Sequence, residues 1–94
     1  MTRDEIRVES FNRISVALNE VFPGIQSHPD GDTLSFDGGI VKIVMSSADF
    51  YDGYFDIISE DTNPGSLWGI KPIVSALITE ICRVRKQKIL KTLH

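Results

Sequence analysis

Thr33-Leu34-Ser35-Phe36-Asp37-Gly38-Gly39-Ile40-Val41-Lys42-Ile43-Val44-Met45 is the stretch on which the fold turns. Thr33 to Phe36 alternates polar and apolar residues, the period of a strand with one buried face. Ile40 to Met45 is rich in β-branched residues, and Asp37-Gly38-Gly39 between them tolerates the positive φ angles of a tight hairpin loop. The stretch therefore predicts an antiparallel hairpin. A third strand is predicted over Tyr54-Phe55-Asp56-Ile57-Ile58-Ser59, after a connection from Ser46 to Gly53 that carries Phe50, Tyr51 and the turn pair Asp52-Gly53. One face of these strands holds Val41, Ile43, Met45, Phe55 and Ile57 and must be covered. The other turns Lys42, Tyr54 and Asp56 to water, with Val44 and Ile58 as apolar exceptions that alternation does not explain.

Upstream, Thr2 and Glu5 fit a capping box, acidic Asp4 and Glu5 suit the positive end of a helix, and Pro23-Gly24 ends it, predicting a helix over residues 3–22. Phe11, Ile14, Ala17, Leu18, Val21 and Phe22 fall on one stripe at 100° per residue. Arg7 lies where that stripe frays into solvent, the position of an arginine snorkelling off the core. Pro29-Asp30-Gly31 has β-turn chemistry, as does Asn63-Pro64-Gly65 downstream. Pro72 suits the first turn of a second helix, whose stripe runs through Ile73, Val74, Leu77, Ile78, Ile81 and Val84. Past Val84 the same line reaches Arg85 and Lys88, while Ile89, Leu90 and Leu93 turn to another side, so this helix outruns its domain. The expected fold is α+β in a single domain, 1–94: a three-stranded antiparallel meander with two helices on one face, order αβββα.

At 94 residues and 41% hydrophobic there is room for one core and not two. The net charge of −3 names no partner by itself. One cysteine, Cys82, excludes an internal disulfide, and the polar, acidic start Met1-Thr2-Arg3-Asp4-Glu5 is unlike a secretory signal, which points to a reducing compartment, the cytoplasm. No apolar run approaches the roughly 20 residues of a membrane span.

Candidate chemistry is sparse. A catalytic base needs an orienting neighbour and a dry cleft, and the two histidines are His28, in a turn-rich segment, and His94, the last residue. Cys82, on the edge of the second helix's stripe, reads as a small hydrophobe. Asp30-Gly31-Asp32 begins like a calcium loop, but Thr33 to Phe36 lacks the alternating oxygen ligands and the final glutamate. Asp49, Asp52 and Asp56 have no histidine among them and no metal-ligand spacing. The glycines match no nucleotide-binding fingerprint. The reading is not an enzyme, with no cofactor and no metal.

What stands out is the sorting of charge. From Glu20 to Asp61 nine acids face one base, Lys42, a balance of −8, whereas Arg83, Arg85, Lys86, Lys88 and Lys91 form a run without an acid. Part of this is ordinary: acids solubilise turns, and cations stabilise a helix C-terminus by about 0.3–1 kcal/mol. The functional reading is a partner-binding surface of Asp49, Phe50, Tyr51, Asp52, Tyr54 and Asp56, in which aromatics supply contact area and carboxylates steer a basic partner. The expected function is a non-enzymatic protein-binding module, a small acidic inhibitor or immunity-type protein covering a basic surface of another protein. Two alternatives stand beside it: a self-associating adaptor, homodimeric through Ile89, Leu90 and Leu93, and nucleic-acid binding through Arg83, Arg85, Lys86, Lys88 and Lys91. The order αβββα also resembles that of the double-stranded-RNA-binding domain. Binding there relies on a basic cluster opening the second helix, and Ser66-Leu67-Trp68-Gly69-Ile70-Lys71-Pro72 supplies one lysine.

Overall fold

The computed structural model describes residues 2–49, 52–59 and 65–93, without the side chains of residues 49 and 52. Its elements are α1 (Arg3–Val21), β1 (Ser27–Asp30), β2 (Thr33–Phe36), β3 (Val41–Asp49), β4 (Asp52–Ser59), β5 (Ser66–Trp68) and α2 (Ile70–Thr92). The strands form one antiparallel sheet in sequence order, β1-β2-β3-β4-β5.

The α+β class is as expected, but the meander has five strands and the order is αβββββα. Two segments not expected to be strands, one around the Pro29-Asp30-Gly31 turn and one after the Asn63-Pro64-Gly65 turn, are edge strands. Ser27-His28-Pro29-Asp30 pairs with β2 around a two-residue turn at Gly31-Asp32, and it carries no apolar alternation because at the rim of the sheet it buries almost nothing. The pair Asp30↔Thr33 closes that turn, so the backbone groups of Ser27 and Pro29 face outward, and proline leaves no donor there for another strand. Ser66-Leu67-Trp68 pairs with Tyr54, Phe55 and Asp56. The expected Ser46–Gly53 connection is also shorter than read. A bulge at Ser46 shifts the register so that Ser47↔Tyr54, Ala48↔Gly53 and Asp49↔Asp52 continue the ladder. With five strands, the likeness in element order to the double-stranded-RNA-binding domain is gone.

The capping box at Thr2 is present, its hydroxyl accepting from the Glu5 N–H at 3.2 Å and the Glu5 carboxylate accepting from the Thr2 N–H at 3.3 Å. These bonds hold the Glu5 carboxyl below its usual pKa. Both helices pack on one face of the sheet. Ile14, Leu18, Ile73, Leu77 and Ile81 meet Phe36, Val41, Ile43, Phe55 and Ile57, all at most 1% exposed, and the Phe11 and Phe55 rings meet at a tilt of 47° with centres 5.9 Å apart. Arg7, expected at the fraying end of the stripe, bonds Asp4 at 3.0 Å and Asp32 at 2.7 Å, tying α1 to the β1–β2 turn. Gly69 precedes α2 with φ +94°, a conformation open to glycine, and turns the chain from the sheet edge onto its covered face.

Candidate functional site: the open face of the sheet

The helices leave the other face of the sheet bare. Its register places Lys42 and Val44 on β3, Tyr54, Asp56 and Ile58 on β4, and Ser66 and Trp68 on β5. Trp68 stands directly opposite Tyr54 and is 54% exposed; Tyr54 and Ile58 are 37% and 42% exposed. Cross-strand aromatic pairs of this kind are favourable neighbours, Cβ atoms about 5 Å apart. Here they form a platform open to water. Val44 and Ile58, unexplained by alternation alone, belong to this same apolar strip.

Polar groups fix the strip's surroundings. Ser66 donates to Asp56 Oδ1 at 2.5 Å. Ser46, pushed outward by the bulge, lies 3.1 Å from both the Tyr54 carbonyl and the Ser66 hydroxyl. With its one proton Ser46 donates to either. The bulge thus sets two serines beside a carboxylate at the foot of the aromatic pair. Of the predicted partner-binding residues, Tyr54 and Asp56 are on this face. Asp49 and Asp52 are paired at the end of the β3–β4 ladder, and Phe50 and Tyr51 lie outside the described residues. Sequence reasoning missed Trp68, placing it in a loop; its position after Ser66-Leu67, a short polar–apolar alternation, was the available signal.

The basic run divides. Arg83 bonds Glu80 at 2.9 Å and the Ser59 hydroxyl at 3.1 Å. Arg85 makes a two-pronged bond to Asp37 at 2.6 and 2.8 Å and covers the Phe22 ring at 5.3 Å. Both arginines fasten α2 to the body. Lys86, Lys88 and Lys91 form no salt bridge among the described residues and continue along the protruding end of α2, with Ile89, Leu90 and Leu93 at 61%, 47% and 75% exposure. Because α2 begins beside Tyr54 and passes the Asp37–Ile40 turn at its other end, the aromatic strip and the lysines occupy opposite ends of a molecule 50 Å long. Among the described residues the signs meet where Arg85 pairs with Asp37, where Arg83 pairs with Glu80 and where Arg7 of α1 pairs with Asp32.

The hydrogen bonds from the Arg85 guanidinium hold the Asp37 carboxyl below its ordinary 3.8; burial opposes them, and the charges of Arg85 and then Lys88 add smaller lowering effects. A depressed folded-state pKa stabilises the protein above the unfolded value, and that contribution disappears as pH falls through the folded value. Asp37→Asn is therefore expected to lower the thermal midpoint at pH 7 and to lose that deficit progressively as pH falls below 3.8 and through the lower folded-state value. Thermal melts of the two proteins across pH check this. An equal deficit at both ends of the range would show that the pair contributes nothing through charge.

Other clusters offer less. Cys82, expected at the edge of the buried stripe, is exposed, and His28 is exposed on β1 opposite Ser35. No group of three His, Cys, Asp or Glu side chains among the described residues is arranged to hold a metal. A cavity of about 100 Å³ between α1, β4 and the β5–α2 junction is lined by Glu9, Arg13, Gly53, Phe55 and Trp68, and a groove of about 370 Å³ between α1 and the β1–β2 hairpin is lined by Arg7, Phe11, Ser15, Ser27 and Leu34; neither gathers the paired titratable groups that catalysis needs. Among the described residues, no helix is long and apolar enough to cross a membrane. Compared with known protein families, with curated proteins and with solved structures, the chain matches none.

Proposed function

We propose that the chain is a non-catalytic protein-binding module, of the small acidic inhibitor type, and that its contact surface is the bare face of the sheet at the β3–β4 end. The observation that carries this reading is the Tyr54–Trp68 pair, exposed side by side and flanked by Asp56 and the adjacent strand-end positions Asp49 and Asp52. A rigid sheet presents these side chains at little entropic cost, and exposed aromatics with a polar rim are the usual composition of interface anchors. Among the described residues the one lysine on this face, Lys42, pairs across to Ile58 toward the far end, so the aromatic half offers a basic partner no opposing cation. Nucleic-acid binding through α2 is the weaker reading. Arg83 and Arg85 already hold carboxylates, and Ile89, Leu90 and Leu93 between the lysines give phosphate nothing.

The test is capture from native lysate by the wild-type protein, Trp68→Ala and Asp56→Lys, at low and high salt. The expected result is a basic protein bound by wild type, with each substitution weakening it about tenfold or more, roughly 1.4 kcal/mol. Capture that neither substitution changes would overturn the reading.

A further inference from the structure

We propose that the two ends of this molecule bind each other between copies: the protruding end of α2 of one chain docks on the aromatic–acidic sheet face of the next. This rests on the preceding reading of the sheet face and names a partner for it. The overhang follows from the burial pattern. Val84 is the last buried residue of α2 among the described residues, and the eight helical residues from Arg85, which Asp37 and Phe22 hold at the base, to Thr92 extend about 12 Å past it. On that segment Ile89 and Leu93 share one side with Leu90 beside them, and Lys86, Lys88 and Lys91 supply cations that form no salt bridge among the described residues, Lys88 acting on Asp37 only through its field.

Charge decides among the occupants. Two copies of this helix end laid against each other would bring like charges together from a run of five bases without an acid, which is destabilising. An apolar stripe among lysines instead matches a surface of aromatic and carboxylate side chains, and the Trp68, Tyr54 and Asp56 end of the face has that character, Lys42 standing across from Ile58 at the other end. The sizes agree as well, since three strands about 4.8 Å apart seat a helix about 10 Å across. A chain cannot satisfy its own face, because its overhang lies at the opposite end and on the covered side of the sheet. The contact is therefore head to tail, and each copy keeps one free end of each kind, so association runs to a series of oligomers rather than stopping at a symmetric dimer. Bound in this way, the sheet face is withheld from any other basic partner.

Sedimentation velocity on the full chain tests this, using a tail variant, Leu90→Asp/Lys91→Glu, and a face variant, Trp68→Ala/Asp56→Lys. All four positions lie outside the buried core, and thermal melts verify that both variants fold. Wild type is expected to form a concentration-dependent series that dissociates between about 0.1 M and about 1 M salt, as the screening length falls from about 10 Å to about 3 Å. Each variant alone is expected to be monomeric. Their mixture is expected to stop at a one-to-one dimer, joining the intact face of the tail variant to the intact tail of the face variant. Self-association that survives in either variant overturns the proposal in favour of a symmetric contact. A monomeric wild type at the highest concentration overturns it while leaving the sheet face as a site for another protein. Binding of that monomer to phosphatidylserine vesicles, lost in the tail variant, would assign the overhang to an anionic membrane instead.

Discussion

Phe55→Ala is expected to remove about 3–5 kcal/mol of folding free energy. A chain of 94 residues is stabilised by roughly 5–14 kcal/mol in total, so the variant should stand near its unfolding threshold at 37 °C. The magnitude follows from position. Phe55 is 1% exposed at the centre of β4, its ring is tilted against Phe11 of α1, and its strand is bonded on both sides, to β3 and β5. The surrounding sheet cannot collapse into the space left by a phenyl ring, so the cost of a cavity adds to the lost transfer energy. Urea unfolding of the two proteins measures the difference; a loss under about 1 kcal/mol would show that the ring is not packed as described.

Gly53→Val should cost about 1–3 kcal/mol for the opposite reason, overpacking. A Cβ at position 53 would lie 2.8 Å from Phe55 Cε2 and 3.0 Å from Met45 Sδ. The methionine can swing away; the ring is held by the core and cannot. Because the new methyls would enter space the ring occupies, the two substitutions must couple. In the Phe55→Ala background, Gly53→Val is expected to be at least about 1 kcal/mol less harmful than in wild type, a departure from additivity that a double-mutant cycle reads directly. Additive losses would place the glycine's constraint elsewhere.

These packing relations explain which parts of the fold were legible. Residues with an apolar period, namely α1, β2, the first half of β3, β4 and α2, announce themselves because burial selects their side chains. β1 and β5 do not, since an edge strand is held mainly by backbone bonds to one neighbour, and Pro29 and Ser66 mimic turn chemistry at that level. The extension of β3 through Ser46-Ser47-Ala48 was hidden by the bulge, which breaks alternation and turns two successive serines to the same side of the sheet. The same gaps shaped the reading of the candidate site. Tyr54 and Asp56 follow from alternation along β4. Trp68 becomes their neighbour only through the β4–β5 pairing, a contact between positions 14 residues apart in the chain that no local pattern encodes. The five bases read as one patch, yet Arg83 pairs with Glu80 one turn earlier on the same helix, a spacing visible in the sequence, while its bond to Ser59 and the Arg85–Asp37 pair depend on where the end of β4 and the β2–β3 turn fall beneath the helix.

The sheet face as a contact surface is tested most directly by hydroxyl-radical footprinting of the free protein and of its complex with the captured basic partner. In the free protein Tyr54, Ile58 and the single tryptophan, Trp68, should be heavily modified while Phe55 and Ile57 on the same strand are spared, and in the complex Tyr54 and Trp68 should become protected. Protection that falls instead on Val16 and Val21 of α1, or a Trp68 already as shielded as Phe55 before any partner is added, would contradict the account.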